Sequence, residues 1–271
     1  ALRTLLYAEA ERRLVTFGVE IQDSRVWLDD AGSPLTTGMV NPVDVLQAWA
    51  RFRLPAQIDP ARSTEVWLGR QTFSIGSGRQ VERFEFANAL SGFTGLRFRA
   101  VGAAGHELHG FYTAPVARRP NDRAGLAENA AEFDREAWGR RFWGLHYRHA
   151  ELIGTRLPRF WTEAFVYGLT ESDRAGEPTP NRRYVTPGIR VFRVPQAGAW
   201  DFELESAWRT GSRRASADPA DREDLDVSAW MLFAALGRTF DVAARVRLAL
   251  EYSHATGDRD PDDDHYDQYE Y

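Results

Sequence analysis

The chain has no cysteine and, across its 271 residues, no lysine. The first absence removes disulfides, thiolate nucleophiles and zinc ligation through sulfur. It leaves the compartment open, because an oxidising periplasm or cell surface does not require cysteine. The second absence makes all 34 basic residues arginine. A base-composition bias acting at every position produces such a replacement. So does a need for guanidinium, which grips carboxylates through two parallel hydrogen bonds and stays charged in a crowded polar interior; the two causes are compatible. Also missing is any run of about eighteen apolar residues, which excludes a transmembrane helix. Transmembrane strands are not excluded, since their lipid-facing residues occupy every second position. With 39 acidic residues the net charge is −5, so the broad basic face of a nucleic-acid binder is lacking and no nucleic-acid partner is expected.

What is present is alternation. Period-two segments predict about twelve strands, near 2–11, 14–27, 43–54, 64–73, 92–102, 106–117, 139–150, 158–170, 183–194, 199–211, 226–240 and 243–255. A helix is predicted only in the loop segment Ala124 to Trp138, whose composition favours one. Connections alternate between short (around 11–13, 103–105, 151–157, 195–198 and 241–242) and long (28–42, 74–91, 118–138, 171–182 and 212–225), with 55–63 intermediate. A meander whose long loops all lie at one end produces this pattern, as bacterial outer-membrane barrels do; Greek-key sandwiches do not. The expectation is an all-β fold, an antiparallel up-and-down transmembrane β-barrel forming a single domain over 1–271. If short turns are periplasmic, the barrel is incomplete here, with strands expected before Ala1 and after Tyr271.

Parity assigns the faces. Val15, Phe17, Val19 and Ile21 share one side and Thr16, Gly18, Glu20 and Gln22 the other. The same test turns Gln47, Arg51, Arg53, Glu65, Gln71, Arg97, Arg99, His146, Arg148, Arg190, Asp201, Glu203, Glu205, Arg209, Arg247 and Glu251 inward. So many ions cannot share a dry core, where each unpaired charge costs several kcal/mol, and the inner face is expected to be wet. Trp27, Trp67, Trp138, Trp161, Trp200 and Trp208 fall near predicted strand ends, where an aromatic girdle stands in such barrels.

The segment Thr64 to Val101 carries the most specific signal, with Gly69-Arg70-Gln71, then Gly76-Ser77-Gly78-Arg79, then Phe93 followed by Gly95-Leu96-Arg97. Phe17 to Arg25, Val43 to Phe52 and Leu250 to Asp264 add further matches in the same order. Together these stretches resemble the alginate-export family of outer-membrane porins, with one departure: Thr94 stands where that family usually has aspartate. The resemblance implies a barrel of about eighteen strands in the bacterial outer membrane. It also implies passage of an anionic polysaccharide, oligosaccharide or small solute, and periplasmic secretion partners.

A polyanion crossing a pore needs weak, repeated attraction rather than one deep site. Arg51, Arg53, Arg97, Arg99, Arg148, Arg190 and Arg247 are the expected lumen cations, with Glu20, Glu65, Glu203, Glu205 and Glu251 as counter-charges. Arg70 and Arg79 are assigned to a loop at the mouth. Asp258, Asp260, Asp262 and Asp264 have the alternate spacing of a calcium loop, but Pro261 and Asp263 interrupt it and no glutamate closes it. A solvated acidic loop is expected there, and no cofactor. His109, Tyr112, His146, Tyr147 and Arg148 offer the residue types of a polysaccharide lyase, yet parity sends Tyr112 away from His109 and Tyr147 away from His146, so catalysis is not expected. A general diffusion porin, or a non-transporting adhesin or scaffold barrel, remains as the alternative.

Overall fold

The computed structural model describes residues 1–27, 32, 34–54, 63–102, 105–150, 160–260 and 262–270. Strands β1 (Leu2–Arg12), β2 (Val15–Arg25), β3 (Asn41–Leu54), β4 (Ser63–Gln71), β5 (Phe93–Val101) and β6 (Glu107–Ala117) come first. Helix α1 (Arg123–Glu128) and the two-residue β7 (Arg135–Glu136) occupy the following loop. The chain continues through β8 (Arg140–Ala150), β9 (Phe160–Glu171), β10 (Arg183–Arg193), β11 (Trp200–Arg214), β12 (Asp224–Thr239) and β13 (Arg247–Ala255), with β14 (His265–Tyr266) last. Every expected strand has its counterpart. The helix is confined to one and a half turns, capped by the Asp122 carboxylate at one end and by left-handed Asn129 at the other.

The long strands lie in chain order in one antiparallel up-and-down sheet, with β7 attached to β6 and β14 to β12. Connections at 13–14, 194–199 and 240–246 are short, and those at 72–92, 118–139, 172–182 and 215–223 are long. The connections expected at 55–63, 103–105 and 151–157 lie mostly or wholly outside the described residues, as does part of 28–42. Packing divides the chain into two compact units, Ala1–Ala100 with Phe111–Phe142, and Val101–Gly110 with Trp143–Tyr271.

In the first unit burial is inverted relative to a water-soluble sheet. On β2, Phe17 and Ile21 are 59% and 40% exposed while Glu20 and Gln22 are 5% and 1% exposed. The polar face is enclosed because the 72–92 connection folds back over it. Leu90 N donates to Gln22 Oε1 (2.7 Å), Ser24 Oγ donates to Asn88 O (2.6 Å), and Arg3 Nη1 donates to the carbonyls of Glu85 and Ala87. Phe73, Ile75, Val81 and Leu90 of the connection are themselves buried, and Phe73 packs on Phe93 and Phe111 at centroid separations of 5.3 and 5.2 Å. The expectation of a wet inner face is therefore corrected where this connection covers β2: there the buried Glu20 is tolerated because it is paired with Arg83, while Arg53 and Arg99 of the same face stay part-exposed.

The second unit repeats the inversion. Leu204 is 50% exposed and Glu205 1% on β11. Here residues 265–270 supply part of the cover: Tyr269 is buried beneath the Arg209 guanidinium, 4.5 Å from its ring centroid. Glu270 accepts from Arg182 Nη1 (3.2 Å).

Candidate functional site

The motif glycine Gly69 lies opposite Trp49 with φ +123°. A Cβ there would stand 2.4 Å from the Ala48 carbonyl oxygen, so glycine lets β3 and β4 approach. The next residue, Arg70, is a strand residue rather than part of a mouth loop, which corrects that assignment. Its Nη1 donates to Val45 O (2.9 Å) and lies 3.6 Å from Asp44, and its Nη2 donates to Glu136 Oε1 (2.7 Å). These contacts hold the side chain against the 118–139 connection, although Arg70 has the opposite parity to Glu65, Trp67 and Gln71. Thr94 Oγ1 donates to the same Glu136 oxygen (3.0 Å). An aspartate at position 94 would set carboxylate against carboxylate, so threonine suits this network.

Beside it two acids meet. Asp134 N donates to Asp44 Oδ2 (3.1 Å), and Asp134 Oδ1 accepts from Asn41 Nδ2 (2.7 Å) and Arg119 N (2.6 Å). Burial, followed by the neighbouring Asp44 carboxyl, pushes the Asp134 pKa up to about 7.

Arg79 lies in the 72–92 connection as expected, with Gly76 and Gly78 at φ +64° and +85°. The anchoring cation of that connection is Arg83, which parity could not reveal because it is not on a strand. Arg83 Nη1 and Nη2 donate to Glu20 Oε2 and Oε1 (2.7 and 2.8 Å), and Nη1 also reaches Thr72 Oγ1 (2.9 Å). Glu20 therefore balances a loop arginine, not one of the wall arginines.

On the wall itself Glu65 lies between three guanidinium groups: Arg51 at 3.7 Å, Arg53 at 3.6 Å and Arg99 at 3.8 Å. Glu9 and Glu11 of β1 lie 3.8 and 3.6 Å from Arg51 and Arg53. Arg97 differs. Its guanidinium rests on Trp67, 3.9 Å from the ring centroid, and has no hydrogen-bond or ion-pair partner among the described residues.

In the second unit Arg148 pairs with Glu107, which also holds His109 Nε2 at 3.0 Å. Arg190 bridges Glu163 (2.9 Å), Glu203 (3.0 Å) and Glu205 (3.8 Å), and His146 Nε2 lies 3.5 Å from Glu163. Arg247 pairs with Asp201 at 2.6 Å. Glu251, expected as a counter-charge, is exposed on β13 and makes no ion pair among the described residues. Glu107 and Glu163 were missed as partners, because no inward residue was recognised from parity on β6 or β9, where both are buried.

Two tryptophans leave the expected girdle. Trp67 is buried under Arg97, and Trp161 lies on the inner face with Arg148 5.1 Å from its ring; Trp27, Trp138, Trp200 and Trp208 are exposed. The alternate aspartates do not converge. Asp262 N and Asp263 N both bond back to Asp260, and the ligand atoms that cluster belong to Asp263, Asp264 and His265, all exposed. Of the lyase-type residues the two tyrosines turn away from the histidines as parity required, Tyr112 being exposed and Tyr147 meeting His106. His109, His146 and Arg148, by contrast, share the inner face, the two histidine rings 6.1 Å apart and His109 and Arg148 both on Glu107.

An antiparallel up-and-down sheet with an exposed apolar face and an enclosed, arginine-rich polar face defines the class of outer-membrane β-barrel transport proteins. Among protein families, the model described as Alginate export matches residues 2–271. The chain belongs to the alginate-export family, a family of outer-membrane export channels. No curated protein matches it.

Proposed function

We propose that this chain forms the wall of a bacterial outer-membrane channel that passes an anionic polysaccharide, oligosaccharide or small solute passively along its arginine- and glutamate-bearing face. The observation that carries this reading is Arg97. Arg51, Arg53, Arg99, Arg148, Arg190 and Arg247 each have an acidic partner within 4 Å, which leaves them little net attraction for a passing anion. Arg97 keeps its charge available, held in place by an aromatic ring rather than by a carboxylate. The paired arginines shape the wall and keep any one site from binding too tightly, which conduction requires.

The test is electrical. In planar bilayers under a salt gradient, Arg97→Glu combined with Arg99→Glu is expected to move the reversal potential toward cation preference. An unchanged reversal potential removes both residues from the path. Absence of any conductance in the full-length protein favours a non-transporting adhesin or scaffold barrel, and conductance that polyuronate does not block favours a general diffusion porin.

A further inference from the structure

A recess of about 390 Å³ lies on the inner face of the first unit, beneath the 72–92 connection. Its volume falls in the range of small-ligand sites, roughly 300–1,000 Å³. Most of its polar lining is already engaged. Glu20 is held by Arg83; Gln47 donates to Glu20 Oε2 (2.5 Å) and accepts from Thr72 N (2.9 Å); the Tyr7 hydroxyl donates to Glu9. Two groups are left over. Gln71, 1% exposed, donates through Nε2 to Gly95 O (3.3 Å), but its Oε1 is buried without a donor. The Arg97 guanidinium, on Trp67, likewise has no acceptor among the described residues. A buried acceptor without a donor costs about 1–3 kcal/mol, so a ligand hydroxyl at this place recovers an interaction that the protein alone does not make.

The third feature is an aromatic surface. Trp49 stands opposite Gly18 across the β2–β3 pair. A Cβ at position 18 would lie 2.3, 2.6 and 2.9 Å from its Cζ2, Cε2 and Cη2 atoms. The indole thus lies down over β2 in space that any larger residue would occupy, and it lines the recess while half-buried. A ligand satisfying all three features needs a flat apolar ring face for Trp49, a hydroxyl proton for Gln71 Oε1 and an anionic oxygen for Arg97.

We propose that this recess is a saccharide subsite that takes one pyranose residue bearing a carboxylate, with the sugar ring against Trp49, a ring hydroxyl donating to Gln71 Oε1 and the carboxylate accepting from Arg97. The inference rests on the reading of the chain as an acidic-saccharide channel and adds to it ring recognition, which a purely electrostatic path lacks.

Calorimetry on the full-length protein in detergent tests it, with a short oligouronate, a neutral oligosaccharide of equal length and acetate as titrants. The oligouronate is expected to bind most tightly, and Gln71→Leu is expected to raise its Kd about tenfold, the size of one lost hydrogen bond. Trp49→Ala should weaken both saccharides while leaving acetate unchanged, and Trp49→Phe should restore part of the loss. Wild-type Kd values in Gln71→Leu and Trp49→Ala overturn the proposal, because a water then satisfies Gln71 and the ring surface is only packing. Acetate binding as tightly as the oligouronate also overturns it, leaving a plain anion site. Conductance blockade by oligouronate, recorded in parallel, separates the two readings. Blockade with unaltered variant affinities removes the subsite and keeps the channel; variant-sensitive binding without blockade keeps the subsite and removes the channel reading.

Discussion

At the scale of single residues, two different cues for one side chain gave different answers. Trp67 lies near a strand end, which suits a girdle, but it also shares parity with Glu65 and Gln71, which turns it inward; the structure follows parity and places Arg97 upon it. The pleat fixes which side a residue faces far more rigidly than distance from a strand end fixes its depth. Gly69 makes the same point about backbone. Its φ of +123° and the Ala48 carbonyl at 2.4 Å from a hypothetical Cβ leave no room for any side chain. Gly69→Ala is expected to destabilise the protein by about 1–3 kcal/mol, read as a lower denaturant midpoint in vesicles. An unchanged midpoint means that β3 and β4 can part without loss.

Elements interact through contacts that no local pattern encodes, and here the long connections were hardest to read. Their length was legible, because strand periodicity stops at Phe73 and resumes at Gly92. Their docking was not: Arg83 and Glu20 are far apart in the chain and meet only because the connection folds back over β2. Arg83→Ala removes two charged hydrogen bonds at 2.7 and 2.8 Å, each worth about 1.5–3 kcal/mol. Proteolytic cleavage within 72–92 is expected to speed up on the order of tenfold or more, whereas Glu20→Gln, which keeps an acceptor, should do less. An unaltered cleavage rate in Arg83→Ala assigns the docking to Leu90, Asn88 and the apolar cluster instead. The 118–139 connection carries a pH dependence. Asp134 has its pKa pushed up from 3.8 to about 7 in the folded protein, so folding favours its protonated form. The resulting stabilisation is full below the unfolded value, declines above it and is lost as pH rises through about 7. Hydrogen exchange of amides in 118–139 should therefore be slower at about pH 5 than at about pH 8, after correction for intrinsic rates. Asp134→Asn should abolish the difference, and a persistent difference in that variant moves the titration to another group.

For the whole molecule, the decisive feature is which side of the sheet is buried. This was legible from alternation alone: Phe17 and Ile21 were expected on one face of β2 and Glu20 and Gln22 on the other, and burial divides them the same way. What alternation could not supply was the inversion itself, since a period-two strand reads the same whether its apolar face meets a core or a lipid bilayer. The arginine-rich face and the alternating connection lengths pointed toward lipid, and the family match over residues 2–271 agrees. Leu204→Arg tests that orientation directly. Leu204 is 50% exposed on β11, next in the chain to buried Glu205. If its face lies in the hydrocarbon, arginine there should destabilise the protein in vesicles by about 2–4 kcal/mol near the midplane. On a water-facing sheet the same exposed substitution would stay within about 0.5 kcal/mol. The two outcomes differ by more than the uncertainty of a denaturant midpoint. Alanine at 204 supplies the reference, because it shortens the side chain without adding charge. A small difference between Leu204→Arg and Leu204→Ala contradicts a lipid-facing β11, and with it the placement of Glu205 and Arg190 along a channel wall.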